Sequence, residues 1–143
     1  MGAGLLPIET LARRFEACDL SRTEWTHEAH LAVGLWHVAN YGSAEALNLL
    51  RSRIRKLNEH NGVANTPAGG YHETITRAYV ELLALHVAQG AGETPDPQRT
   101  CDRLLASELA QRDYLLRFWS QSLLFSARAR AEWVAPDLGP LAL

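Results

Sequence analysis

The chain has 143 residues, of which 47% are hydrophobic and 21% charged, with 14 basic residues set against 16 acidic ones for a net charge of −2. That length suits one domain burying roughly two thirds of the surface its unfolded chain would expose, and the composition excludes a disordered chain. The interleaved charges exclude the basic stripe that a phosphate backbone selects, so nucleic acid is not expected as a partner.

Pro7 suits a first helical turn, and Ile8, Leu11, Phe15 and Cys18 recur at helical spacing, predicting a helix over about 7–18. Ser21 followed by Glu24 forms a capping-box pattern that predicts the start of a second helix. Its residues Trp25, Ala29, Leu31, Val33, Leu35, Trp36 and Val38 are apolar around most of the circumference, as expected of a central helix. Tyr41-Gly42 is expected to end it and Ser43 to cap a third, amphipathic helix whose stripe is Leu47, Leu50, Ile54 and Leu57. The basic run Arg51, Arg53, Arg55 and Lys56 on its back reads as a solvated face.

Asn61-Gly62 stops that helix, and a loop rich in Gly, Pro and Asn leads to a fourth over about 71–89. Residues 90–97 form a second linker, with Asp96 as N-cap and Pro97 as first residue of a fifth helix carrying Leu104, Leu105 and Leu109. A sixth helix is predicted over about 113–133, followed by a Pro- and Gly-containing extended tail. No period-two alternation, phosphate loop or internal repeat is present. The expected fold class is all-α, a single helical bundle of five or six helices.

Cys18 and Cys101 read as small buried hydrophobes rather than a disulfide or zinc framework. The first residues lack an export or myristoylation signal, and the longest apolar stretch is too short to span a bilayer, so a cytoplasmic location off the membrane is expected.

The six histidines carry the functional expectation. His27 and His30 are spaced i, i+3, so they share a face and are separated by about 4.5 Å of rise, while His37 lies about 10 Å further along. If the helices run up and down through short connections, His72 at the start of the fourth helix is level with them, with Thr76 next on its face, Glu24 next to His27 and Glu73 flanking. The expected metal ligands are therefore His27, His30, His72 and Glu24, with Glu73 and Thr76 in catalytic roles. Zinc, iron or manganese is the cofactor such a set suits.

This predicts a metal-dependent enzyme, a hydrolase or an oxidoreductase, acting on a small organic substrate. Two alternatives stand beside it: a metal-free module in which the histidines contact a small ligand, and a structural homodimer with hydrogen-bonded core histidines. His27-Glu28-Ala29-His30 is one residue short of the zincin motif, and Glu28 projects about 200° around the helix from His30, which excludes that protease. His37, His60 and His86 read as hydrogen-bonded core histidines. The 62–70 loop, with Asn65, Thr66, Pro67, Gly69 and Gly70, is either a lid over the site or a plain connector. Trp25, Trp36, Tyr71, Tyr79 and Trp119 read as core before they read as a pocket lining. Among Arg117, Arg128 and Arg130, Arg128 is the first choice for an anionic ligand.

The strings WTHEAHLAVGLWHV (25–38), GGYHETITRAYVELL (69–83) and FWSQSLLFSARARAEWVAPDLGPL (118–141) resemble a family of small bacterial helical proteins without an assigned activity. The resemblance extends along the whole chain and implies an independent bacterial domain. A looser similarity, resting on histidines in an up-and-down bundle, is to the metal-binding DinB-like bundles, and fold analogy of this kind does not carry function.

Overall fold

In the computed structural model, residues 5–90 and 96–143 are described. Within them lie six α-helices and two short 3-10 turns, and no strand. The fold is an all-α helical bundle. The expectations on the first four residues and on most of the second linker fall on 1–4 and 91–95, outside the described residues.

Helix α1 spans Ile8–Glu16, with Pro7 as N-cap rather than first helical residue. It buries Ile8, Leu11, Ala12 and Phe15, and Cys18, in left-handed backbone at φ 56°, follows its end. The capping box of Ser21 and Glu24 forms in full, with Ser21 N–H donating to Glu24 Oε1 at 3.0 Å and Glu24 N–H to Ser21 Oγ at 3.2 Å. It closes a turn and not a helix. Helix α2 starts only at His27, where the Thr26 hydroxyl accepts from Ala29 N–H and takes over as cap.

Helix α2 runs from His27 to His60 and is broken once, at Gly42, whose φ of 79° and ψ of 167° are not helical. The chain therefore turns where Tyr41-Gly42 was expected to end a helix. The half before the break buries every residue from Leu31 to Val38, and the half after it only a stripe including Ala46, Leu50 and Leu57. Helix α3, Glu73–Gln89, packs along both halves and forms the largest helix contact of the bundle. The loop between them is tied down: the Asn65 side chain accepts from Asn58 Nδ2 and Tyr71 N–H and donates to the Arg55 carbonyl. Gly70 closes it at φ 80°, where a Cβ would lie 2.5 Å from the Ala64 carbonyl oxygen. It is a connector.

Helix α4, Pro97–Leu105, begins as its sequence predicts, with the Asp96 carboxylate accepting from Gln98 and Arg99 N–H. The long sixth helix does not form. Residues 113–133 instead make a 3-10 turn at Tyr114–Arg117 and two short helices, α5 (Gln121–Leu124) and α6 (Ala127–Ala131). The cause is local: Ser120 and Ser126 each turn their hydroxyls to an N–H three residues on, which starts a new helix and ends the old one. The tail is the expected strap, its Val134 carbonyl accepting from buried Trp119 Nε1 and its Leu138 N–H donating to Phe118 O. Cys101 is buried, and burial pushes its thiol up to about 11, while Cys18 is half-buried.

Candidate functional site

A cavity of about 370 Å³ opens between the two halves of α2 and the first turns of α3. Its walls are mostly apolar, from Leu31, Leu50, Ile54, Ile75, Val80 and Leu83, and its polar groups come from His27, His30, Thr76, Tyr79 and Arg112. This is the size and mixture typical of a small-molecule site. Among the residues expected at the site, His27, His30 and Thr76 meet here.

Each polar group has a defined state. His30 Nδ1 lies 2.7 Å from the carbonyl oxygen of Thr26, which can only accept, so the proton is on Nδ1 and the Nε2 lone pair is left open. No protein group among the described residues bonds that Nε2, and it is not a sealed, unsatisfied atom. His30 lines the cavity and keeps an exposed surface although protein crowds it closely. That crowding pushes the imidazole down to about 4, against the opposing hydrogen bond to Thr26, so the ring is neutral at pH 7. His27, half-buried, donates from Nε2 to Ala110 O at 3.1 Å and is likewise lowered by burial.

Tyr79 stands edge-on to His27 with centroids 6.1 Å apart, and burial raises its phenol to about 12, so its hydroxyl stays protonated. Thr76 spends its hydroxyl hydrogen on the His72 carbonyl at 2.8 Å. Arg112 is exposed and lines the cavity without an ion-pair partner among the described residues. The site thus offers an acceptor at His30 Nε2, a donor at Tyr79 and one positive charge. Arg112 was not expected here, and Tyr79 read as core before it read as pocket lining. Tyr79 follows Thr76 at i+3 and shares its face, whereas Arg112 arrives from a loop that no local pattern connects to α2.

The structure places His72 elsewhere. It is the N-cap of α3, its Nδ1 accepting from Ile75 N–H at 3.1 Å and its Nε2 donating to Leu124 O at 2.8 Å. Both nitrogens are spent. The register expected for the helices is met, since Ile75, Thr76 and Tyr79 face His27 and His30, but the extended backbone of a cap residue turns the His72 ring toward α5. Glu73 is held by Arg51 Nε at 3.0 Å and accepts from the Tyr71 hydroxyl at 2.7 Å. Burial opposes its charge, but these bonds outweigh it and hold the carboxyl below its usual range. Glu24 is paired with Arg14 at 2.8 Å, and that pair together with the Ser21 cap lowers its carboxyl to about 2.

The four expected metal ligands are therefore not gathered at one point. No group of three or more His, Cys, Asp or Glu side chains disposed around a metal position exists among the described residues. Of the other histidines, His37 is fully buried and satisfied by Val33 O and Arg53, and His86 is buried against Thr100 O. His60 departs from expectation: it is the exposed last residue of α2. Trp36, Tyr71 and Trp119 are core, while Trp25 and Tyr79 line the cavity. Arg128 only pairs with Glu132 on the surface. No family model, curated protein or solved structure matches the chain. No helix among the described residues is long and apolar enough to cross a membrane.

Proposed function

We propose that this chain binds a small, mainly apolar organic molecule bearing a hydroxyl group in the cavity between α2 and α3, and that it does so without a metal ion. The observation that carries the reading is that neutral His30, whose Nε2 no described group bonds, lines this mainly apolar cavity. A ligand hydroxyl donates to that nitrogen, and its oxygen is within the chemistry of the Tyr79 phenol as acceptor. The apolar body replaces water against Leu31, Ile54, Val80 and Leu83, and burial of that surface supplies most of the affinity at about 25 cal/mol per Å². Arg112 adds a preference for negative over positive substituents.

The test compares 4-ethylphenol with ethylbenzene by thermal unfolding in the presence of a chelator. The phenol is expected to raise the midpoint more than the hydrocarbon, and a His30→Leu variant is expected to reverse that order. Equal responses to the two probes in the wild type, or stabilisation that disappears with chelator, would refute the reading.

A further inference from the structure

The basic run on the second half of α2 is not one solvated face. Arg51 is committed to Glu73, and Arg53 to Glu16 at 3.0 Å and to His37. Arg55 has no carboxylate partner among the described residues, and its guanidinium lies 4.5 Å above the centroid of the Tyr71 ring. Arg130, from α6, donates from Nη1 to the carbonyls of Gly70 at 2.8 Å and Tyr71 at 3.4 Å. It too lacks a carboxylate among the described residues. Buried Tyr71 therefore positions both cations, one on its ring and one on its backbone.

The two arginines border the same cavity of about 210 Å³, together with Thr66 and Pro67 of the tied-down loop. A guanidinium has five N–H donors. Arg130 spends one nitrogen on the carbonyls, and Arg55 spends none on any described group. The Thr66 hydroxyl accepts from Ala68 N–H and keeps its own hydrogen for donation. Arg55 and Arg130 bring two positive charges, neither in an ion pair among the described residues, from segments 75 positions apart to one cavity, and an anion between them relieves their repulsion. We infer that this second cavity is a binding site for a doubly charged tetrahedral oxyanion, inorganic phosphate or the phosphate of a small phosphomonoester, held by the forks of Arg55 and Arg130 and by the Thr66 hydroxyl. Two cations match the charge of a phosphate dianion, and the guanidinium fork matches its oxygen geometry.

Titration calorimetry at fixed ionic strength tests the site with sodium phosphate, glycerol 2-phosphate and sodium acetate. Saturable binding of either phosphate, with acetate much weaker, is expected. Arg55→Ala, a change at an exposed residue, is expected to weaken it about tenfold or more, while Arg128→Ala leaves it unchanged. Arg130→Lys keeps the charge but loses the fork and is expected to weaken binding as well. Tighter binding of glycerol 2-phosphate identifies a phosphorylated metabolite as the occupant, and tighter inorganic phosphate the free ion. Absence of saturable binding, acetate equal to phosphate, or an Arg55→Ala protein that binds like the wild type would overturn the inference.

Discussion

The imidazole of His30 lies on the indole of Trp25, with ring centroids 3.7 Å apart and planes 29° from parallel. Phe15 stacks on Trp25 in turn at 5.1 Å. This three-ring stack and the bond from Nδ1 to Thr26 O fix the ring by its face and its edge. The remaining nitrogen is thereby aimed by structure rather than left to rotate, which is what a recognition group requires.

The state of that ring sets a pH dependence. The folded pKa of about 4 lies below the unfolded value of about 6.5, so between these values the unfolded chain binds more protons. Stability is then full above about pH 6.5 and falls as the pH is lowered toward 4. Burial lowers His27, His37, His72 and His86 as well, and each contributes with the same sign. Urea unfolding between pH 7 and 4 should show this fall, and nitrogen-detected NMR should show His30 protonated on Nδ1 alone at pH 6. A His30→Gln variant is expected to have a shallower profile. A His30 ring that titrates near 6.5 contradicts the assignment.

His72 acts on stability and not on the ligand. His72→Ala removes the cap on Ile75 N–H and the bond to Leu124 O, each about 1 kcal/mol, for a loss of about 2 kcal/mol. Asparagine is a good N-cap, so His72→Asn should recover about half of that. Both variants should keep the response to 4-ethylphenol relative to their own midpoints. A His72→Asn protein of near-normal stability that no longer responds would return His72 to the binding site.

The contrast between His72 and His30 shows how much of the site could be read in advance. The i, i+3 spacing of His27 and His30 and the register that brings Thr76 to them follow from helix geometry, and the cavity contains all three. The role of His72 was hidden because serine, threonine, aspartate and asparagine are the usual caps, and a histidine in that position looks like a ligand. The same holds for the fold. The all-round apolar first half of α2, the break at Gly42 and the Asp96 cap are local signals, whereas the serines that divide residues 113–133 compete with a helical pattern that also fits. Arg112 enters the cavity only through tertiary packing.

Gly42 makes the two halves of α2 possible. Its φ of 79° with ψ of 167° belongs to a region that only glycine enters readily, and a Cβ there would touch nothing within 4 Å. The cost of substitution is therefore backbone strain alone. Gly42→Ala is expected to lose about 1–3 kcal/mol in urea unfolding. Asparagine relieves ordinary left-handed positions, but the ψ here lies outside that region, so Gly42→Asn should cost about as much as alanine. Wild-type stability in the asparagine variant would show that the hinge adopts a different turn.

Gly34 controls the room inside the cavity. It sits in the buried half of α2, and a Cβ at this position would lie 2.9 Å from Leu83 Cδ1, both residues lining the cavity wall. Alanine gains up to about 1 kcal/mol of helix propensity over glycine, but Leu83 must move to admit it, so Gly34→Ala should change stability by less than about 1 kcal/mol. The displaced Leu83 methyl takes space the ligand needs, and the thermal response to 4-ethylphenol should shrink. Leu83→Val removes Cδ1 and with it the clash. In the double variant Gly34→Ala, Leu83→Val the ligand response should return toward that of Leu83→Val alone, giving a coupling between the two sites that a double-mutant cycle reads directly. Strictly additive effects on ligand response would mean that the ligand does not lie between α2 and α3.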